Sequence, residues 1–228
     1  MMRASRLLLI VAVTILNTKA LIADDSDDAS KVVEKIKFLG GNVTRDETSP
    51  GRPVIGLDLR ASKKFNDKYL HLLKSFKNLA SLNLIGIKVT DVGLKELAEL
   101  RNLTALYLSS AQITDLGMKE ISQLANLTSL SLSGTNVSDI GMGEISHLAK
   151  LNSLNLALTN VTDVGLQDIC QCTDLENLDL RFTNITDSGV KRLIGLKKLK
   201  TLDVSNTQIT KAGINELQET LPNLMITR

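Results

Sequence analysis

Residues 161–166 read VTDVGL, and variants of this hexapeptide occur six times in the chain of 228 residues. The copies are VTDVGL at 89–94, ITDLGM at 113–118, VSDIGM at 137–142, VTDVGL at 161–166, ITDSGV at 185–190 and ITKAGI at 209–214. Every copy begins 24 residues after the previous one. A fixed period of this length is the sequence signature of stacked structural repeats. The hexapeptide therefore predicts a repeat architecture.

The residue types of the hexapeptide indicate the start of a helix. In the first copy, Thr90 is a good N-cap, because its hydroxyl can accept a hydrogen bond from a free backbone N–H of the first turn. Asp91 would follow at the first helical position, where the helix dipole favours a negative charge. Val89 and Leu94 have the spacing of a hydrophobic staple. Gly93 would allow close packing between neighbouring units.

Each repeat also contains a strand pattern before the hexapeptide and a helix pattern after it. Leu82 and Leu84 alternate with polar residues, which predicts a short strand with one buried face. Leu94, Leu97 and Leu100 follow at a spacing of three, which predicts a helix. Such a unit cannot bury its apolar residues alone, so the repeats must stack on one another.

The segment at 102–124, NLTALYLSSAQITDLGMKEISQL, resembles the leucine-rich repeat in the spacing of its leucines. The small polar position of that pattern holds threonine in four repeats but Ile87 and Ala111 in two others. The T-D-x-G-L helix start is similar to the cysteine-containing subclass of the family, and the whole chain is similar to exported bacterial proteins with a leader and a short cap. The resemblance implies an α/β solenoid: a right-handed superhelix with a parallel sheet on its concave face and helices on its convex face.

The repeat positions divide the chain. We predict a signal peptide at 1–23, then an acidic segment, a capping helix that begins after Ser30, and a linker at 24–52. The leucine-rich-repeat domain would span 53–228. It would comprise a degenerate first repeat at 53–76, six full repeats at 77–220 and a terminal strand at 221–228. The exposed edge of that last strand would permit edge-to-edge self-association at the C-terminal end.

The N-terminus indicates export to the periplasm or the outside of the cell. Arg3 and Arg6 precede an apolar run at 7–16, and small residues at Ala20 and Ala23 offer two cleavage sites. The run is too short to span a membrane, so no membrane span is expected after cleavage. Cleavage after Ala23 also removes Lys19 and changes the formal net charge from +2 to −1. A chain so close to neutral is not expected to bind nucleic acid.

The outward-facing residues of the predicted strands give the candidate binding site. The middle column of outward positions is small and polar apart from one aromatic residue, and aromatic and arginine side chains dominate binding energy at interfaces. We predict a concave face that binds a protein or a peptide. The candidate contact residues are Tyr107, Ser131, Asn155, Asp179, Arg181, Phe182 and Asp203.

The pattern predicts no catalytic residue, no cofactor and no metal site. Helix capping accounts for the aspartates of the hexapeptides, whereas calcium needs six to eight oxygens around one point. Cys170 and Cys172 are expected to be free thiols. One alternative is a substrate-recognition adaptor of an intracellular complex similar to a ubiquitin ligase. Another is a protein that binds or hydrolyses cell-wall glycans, for which Asp179 and Asp203 would be the carboxylate pair.

Overall fold

The computed structural model of the chain describes residues 27–60 and 62–228. The predicted signal peptide at 1–23 lies outside these residues. The described chain forms an α/β solenoid in which each repeat contributes one short strand and one or two short helical segments.

Nine strands of the described residues form a single sheet whose spatial order follows the chain order. From β2 onward every pair of neighbours is parallel, and the register advances by 24 residues at each step from β3 to β9. The strands are β1 (Asn42–Arg45), β2 (Val54–Asp58), β3 (Ser81–Asn83), β4 (Ala105–Tyr107), β5 (Ser129–Ser131), β6 (Ser153–Asn155), β7 (Asn177–Asp179), β8 (Thr201–Asp203) and β9 (Met225–Thr227).

Helical segments line the opposite side of the solenoid. The α-helices are α1 (Asp27–Phe38), α2 (Asp91–Leu94), α3 (Asp115–Ile121), α4 (Asp139–Met142), α5 (Leu166–Ile169), α6 (Asp187–Val190) and α7 (Lys211–Thr220). Short 3-10 helices cover Asp67–Ser75, Lys95–Leu97, Ile145–His147 and Lys191–Gly195. None of the helices described here is long and apolar enough to cross a membrane.

The core is a set of aliphatic columns between the sheet and the helices. From β3 to β8 the middle residue of each strand, such as Leu106 or Leu154, is buried, and so are the first and last residues of the first five hexapeptides, such as Val89 and Leu94. In the sixth hexapeptide Ile214 is only partly buried. Four threonines at the small polar position act within their own repeats. Each hydroxyl donates a 2.6 Å hydrogen bond to the carbonyl three residues earlier: Thr135 to Leu132, Thr159 to Leu156, Thr183 to Leu180 and Thr207 to Val204.

The aspartates of the first five hexapeptides bind the next repeat, which the helix-capping interpretation did not anticipate. Asp139 accepts hydrogen bonds from the Thr162 backbone N–H (2.8 Å), the Thr162 hydroxyl (2.6 Å) and the Gly165 N–H (2.9 Å). The same paired bonds to a backbone N–H and a hydroxyl join Asp67 to Thr90, Asp91 to Thr114, Asp115 to Ser138, Asp163 to Thr186 and Asp187 to Thr210. We call these contacts the aspartate ladder.

The glycine of the hexapeptide makes room for the aspartate ladder. A Cβ atom on Gly165 would lie 2.6 Å from Oδ1 of Asp139, and a Cβ on Gly141 would lie 2.6 Å from Oδ1 of Asp115. Non-bonded contacts between a Cβ atom and an oxygen atom are not ordinarily shorter than 3.0 Å. Close packing between turns thus has a specific cause: the carboxylate of one repeat occupies the space of a side chain in the next.

The N-terminal segment differs from the prediction in two respects. Helix α1 begins at Asp27 rather than after Ser30. Part of the predicted linker is a strand, because β1 pairs antiparallel with β2 through partners that include Val43 and Leu57. Together α1 and β1 cover the first repeat, where Ile36 and Leu39 of the cap are buried.

Candidate functional site

The exposed side of the sheet carries two columns of outward side chains, which we call the concave face. Each strand from β3 to β8 buries its middle residue, and its first and third positions face away from the core. The third residues are Asp58, Asn83, Tyr107, Ser131, Asn155, Asp179, Asp203 and Thr227, and the register aligns them side by side. Four predicted contact residues, Tyr107, Asn155, Asp179 and Asp203, lie in this column and are half-buried.

Ser131 was predicted as an exposed contact residue, and this is wrong. Its side chain is buried, with only 8% of the residue exposed, and its hydroxyl lies 2.8 Å from the hydroxyl of Ser109. Two adjacent small side chains satisfy each other and leave a low, flat area in the middle of the concave face. Asn155 lies one strand further on and is more accessible, although its Oδ1 accepts the N–H of Ala157.

Arg181 and Asp179 form a closed ion pair on the concave face. Nε of Arg181 donates to Oδ1 of Asp179 (3.0 Å), Nη2 donates to Oδ2 (2.7 Å), and Asp203 lies 3.6 Å from Nε. Hydrogen bonding to Asp179 raises the pKa of Arg181. Because the guanidinium remains partly exposed, one face of it is available to a partner. Three of the predicted residues are therefore brought together.

The same arrangement occurs at the other end of the face, where the sequence analysis did not place a site. Arg60 donates to Asp58 through Nε (3.1 Å) and Nη2 (2.7 Å), and this hydrogen bonding lowers the pKa of Asp58. The sequence contained a signal for this second pair, because the tripeptide D-L-R occurs both at 58–60 and at 179–181. We call these two pairs the Asp–Arg clamps.

Phe182 lies at the rim beside the second clamp, in a backbone conformation that favours glycine. Its φ is +56°, and Leu158 one repeat earlier has φ +59°. The equivalent turn positions are Gly86, Ser110, Gly134 and Asn206, all with positive φ. Phe182 and Leu158 are 52% and 58% exposed. The rim thus holds two apolar side chains at turn positions where bulky residues are unfavourable.

Two shallow depressions lie on the concave face, one near each clamp. The larger, of about 420 Å³, extends over β6–β9 and is lined by Asn155, Asp179 and Asp203 among others. The smaller, of about 330 Å³, extends over β2–β4 and is lined by Asp58, Asn83 and Tyr107 among others. Both are open, which suits contact with an extended chain more than enclosure of a small molecule.

Among the described residues, no group of three or more His, Cys, Asp or Glu side chains could hold a metal ion. Arg181 lies between the carboxylates of Asp179 and Asp203. If these two carboxylates were the acid and the base of a hydrolase, the guanidinium would occupy the space that the substrate needs. Cys170 and Cys172 are free thiols, and burial raises the pKa of Cys172 to about 11, which makes it unreactive at neutral pH.

Comparison with protein families identifies the repeats. A leucine rich repeat model matches residues 101–161, and a second leucine rich repeat model matches residues 171–193 and 195–217. These segments include four of the six copies of the hexapeptide. We found no match among curated proteins.

Solved structures of bacterial proteins share the fold. The internalin inlC2 of Listeria monocytogenes superposes with a TM-score of 0.60 at 24% identity, over 76% of this chain and 70% of the internalin. The internalin inlF of the same organism gives a TM-score of 0.60 at 24% identity, over 90% of this chain and 57% of its own length. A leucine-rich-repeat protein of Leptospira interrogans gives 0.53 at 22% identity, over 69% of this chain and 45% of its own. At these identities the likeness concerns the fold alone.

Proposed function

We propose that this chain, a leucine-rich-repeat protein, is a non-enzymatic recognition module that binds a protein or peptide on its concave face. The observation that carries the proposal is the pair of Asp–Arg clamps at the two ends of a continuous, flat and mainly uncharged sheet surface. A rigid stack of repeats loses little conformational freedom on binding, which favours recognition of an extended partner.

The spacing of the clamps sets the size of the ligand. The first clamp lies on β2 and the second on β7, five strand intervals apart. With neighbouring strands ~4.8 Å apart, the clamps are about 24 Å from each other. An extended chain rises ~3.3 Å per residue, so about seven residues would reach from one clamp to the other. The proposed ligand is an extended segment that crosses the strands.

The clamps and the two aromatic residues would provide most of the binding energy. Arginine and tyrosine are enriched among the residues whose truncation weakens interfaces most. Tyr107 lies near the first clamp, and Phe182 lies at the rim beside the second. Between them, the paired hydroxyls of Ser109 and Ser131 leave space for a backbone to approach.

Export to the periplasm or the outside of the cell belongs to the same proposal. It is supported by the basic, apolar and small-residue order of the first 23 residues. Nothing in the described residues favours the adaptor alternative or the glycan alternative, and the guanidinium between Asp179 and Asp203 argues against hydrolysis.

A photoreactive amino acid at Asn155, expressed in the native host, tests the proposal directly. Asn155 is suitable because it is partly accessible and lines the larger depression. Crosslinked products are identified by mass spectrometry. A matched probe at Lys95, exposed on the convex side, is the control. We expect a discrete protein adduct from Asn155 that the Lys95 probe does not give, and the same adducts from both probes would contradict the proposal.

Truncation of the candidate contact residues should weaken binding to the captured partner. We expect Arg181→Ala and Tyr107→Ala each to raise Kd by about tenfold or more, as for central interface residues. Calorimetry with the purified partner measures the effect. The melting temperature should change little, because exposed ion pairs contribute only ~0–1 kcal/mol. Arg192→Ala is the control, since Arg192 is exposed on the helical side. Unchanged affinity in both test variants would exclude the concave face as the binding site.

A further inference from the structure

A stripe of exposed aliphatic side chains runs along the edge of the solenoid where the helices begin. Val92, Leu116, Ile140 and Val164 occupy the x position of the T-D-x-G sequence in four consecutive repeats. Each is between 65% and 80% exposed, with Val164 the least and Ile140 the most accessible. We call this set the aliphatic stripe.

The stripe is continuous because neighbouring helix starts touch. Asp115 of one repeat accepts hydrogen bonds from both Ser138 and Gly141 of the next, and Asp139 bonds Thr162 and Gly165 in the same way. The side chains between these contact points therefore follow one another along a straight edge.

The fold does not require apolar residues at this position. The next two repeats hold Ser188 and Ala212 at the x position, and both are exposed. Their backbones make the same ladder contacts, since Thr186 and Thr210 bind Asp163 and Asp187. An exposed aliphatic residue in four consecutive repeats is thus a feature of the surface, and exposed apolar patches of this extent mark interaction sites.

The surface beside the stripe, toward the sheet, is almost uncharged. Two positions before each threonine or serine of the hexapeptides the chain exposes Lys88, Gln112, Asn136, Asn160, Asn184 and Gln208. The hydroxyls in between are bonded to the aspartate ladder. Depletion of charge around an apolar centre is the composition of an interface core.

We propose that the aliphatic stripe is a dimer contact. It would pack against the aliphatic stripe of a second copy of this chain in antiparallel orientation. The order Val92, Leu116, Ile140, Val164 reads nearly the same in both directions. A two-fold axis between Leu116 and Ile140 sets Leu116 against Ile140 of the other copy and Val92 against Val164. Such isologous contacts are the commonest way in which soluble proteins pair.

The charges on both sides of the stripe favour this antiparallel orientation over a parallel one. On the helical side the exposed flanking residues are Lys95, Lys119, Gly143 and Gln167. In the antiparallel pair Lys95 faces Gln167 and Lys119 faces Gly143, so no two lysines meet. A parallel two-fold pair would set the helical side of one copy against the sheet side of the other, so that Lys95 would meet Lys88, and like charges in contact are unfavourable. On the sheet side Lys88 likewise faces Asn160.

The size of the face indicates a reversible dimer. The six repeats centred on the axis, from the one that contains Lys68 to the one that contains Ser188, span five intervals of ~4.8 Å, or about 24 Å, and the band from the turn to the first helical turn is about 20 Å wide. The projected area is then about 480 Å² per copy, at the low end of specific interfaces. The same axis leaves both concave faces open, so the dimer would present two binding sites and is independent of the function proposed above.

Sedimentation velocity of the purified chain over a concentration series tests the dimer. We expect the average mass to rise from that of the monomer, 24.8 kDa for the full chain, toward twice that value. Leu116→Lys and Ile140→Glu should each raise the dimer dissociation constant about a hundredfold, because each buries an unpaired charge at the centre of the contact. Phe38→Lys is the control, since Phe38 is as exposed as the stripe but lies on α1.

The double variant Leu116→Lys with Ile140→Glu determines the orientation. In the antiparallel pair each introduced lysine faces an introduced glutamate, so we expect dimerisation to recover by about tenfold or more relative to the single variants. In a parallel pair the introduced charges face their own kind, and recovery would fail. A parent chain that stays monomeric at every concentration, single variants that dimerise like the parent, or a double variant without recovery would overturn the proposal.

Discussion

At the scale of single residues, the glycine of the hexapeptide is fixed by its neighbour rather than by its own helix. Gly165 donates its N–H to Asp139 at 2.9 Å, and an added Cβ would lie 2.6 Å from the same carboxylate. It would also lie 3.1 Å from Cγ1 of Val161. Its own backbone, with φ −64° just before α5, would accept alanine. The aspartate ladder is what excludes it.

Gly165→Ala should therefore lower the free energy of unfolding by about 1–3 kcal/mol, the usual cost of overpacking. Urea unfolding followed by circular dichroism measures the change. Gly195→Ala is the matched control, because nothing lies within 4 Å of its added Cβ, and we expect it to be neutral or stabilising by up to ~1 kcal/mol. Equal stability of the two variants would contradict this prediction, because it would mean that the Asp139 carboxylate moves aside at little cost in free energy.

At the scale of elements, the turn after each strand requires a left-handed residue, and two repeats meet this requirement with bulky side chains. Asn206 has φ +58° at the position where Phe182 has φ +56°. A non-glycine residue in this region costs roughly 1–2 kcal/mol, whereas asparagine tolerates it. Phe182 is half exposed and so recovers little of that cost by burial.

Phe182→Asn should raise the free energy of unfolding by about 0.5–1 kcal/mol and the melting temperature by about 1–4 °C. Calorimetry detects a change of this size. Phe182→Leu keeps an apolar residue in the same conformation and should leave the melting temperature near that of the parent. A loss of stability in Phe182→Asn would mean that the ring packs against the rim and serves the fold.

The elements also show where prediction from sequence succeeds. The strands from β3 to β8 and most of the helix starts follow from residue spacing, because the repeats share a pattern of buried aliphatic residues and a threonine or serine before the helix. Helix α5 is the exception, since it begins at Leu166, three residues later than its hexapeptide predicts. Strand β1 was missed because its four residues form a strand only by pairing with β2. The burial of Ser131 was missed because it depends on Ser109 in the neighbouring repeat. The clamp at Asp58 and Arg60 was missed although the tripeptide D-L-R occurs at both clamps, because only the side-chain geometry shows that the two residues pair.

At the scale of the whole molecule, the aspartate ladder joins the repeats into one body along the helical side, as the parallel sheet does on the other. Six consecutive contacts run from Asp67 to Thr210. The stacked repeats in turn hold the two Asp–Arg clamps at a fixed distance on the concave face. Rigidity of this kind is what a recognition surface needs, and it depends on contacts between neighbours rather than on any single repeat.

The central structural claim is that the hexapeptide acts between repeats. Amide hydrogen exchange measured by NMR tests it most directly, because the N–H of a residue that precedes a helix or the turn leading into it has no partner within that helix. Thr162 and Thr186 donate this N–H to the preceding aspartate at 2.8 Å. We expect both amides to exchange slowly in the parent. In Asp139→Ala we expect fast exchange at Thr162 and Gly165 and unchanged protection at Thr186.

Asp174→Ala removes an exposed carboxylate paired only with Lys198 at the surface and serves as the control that should change neither amide. Slow exchange at Thr162 that is lost in Asp139→Ala alone is the predicted result. Fast exchange at Thr162 in the parent, or protection that survives Asp139→Ala, would contradict the claim.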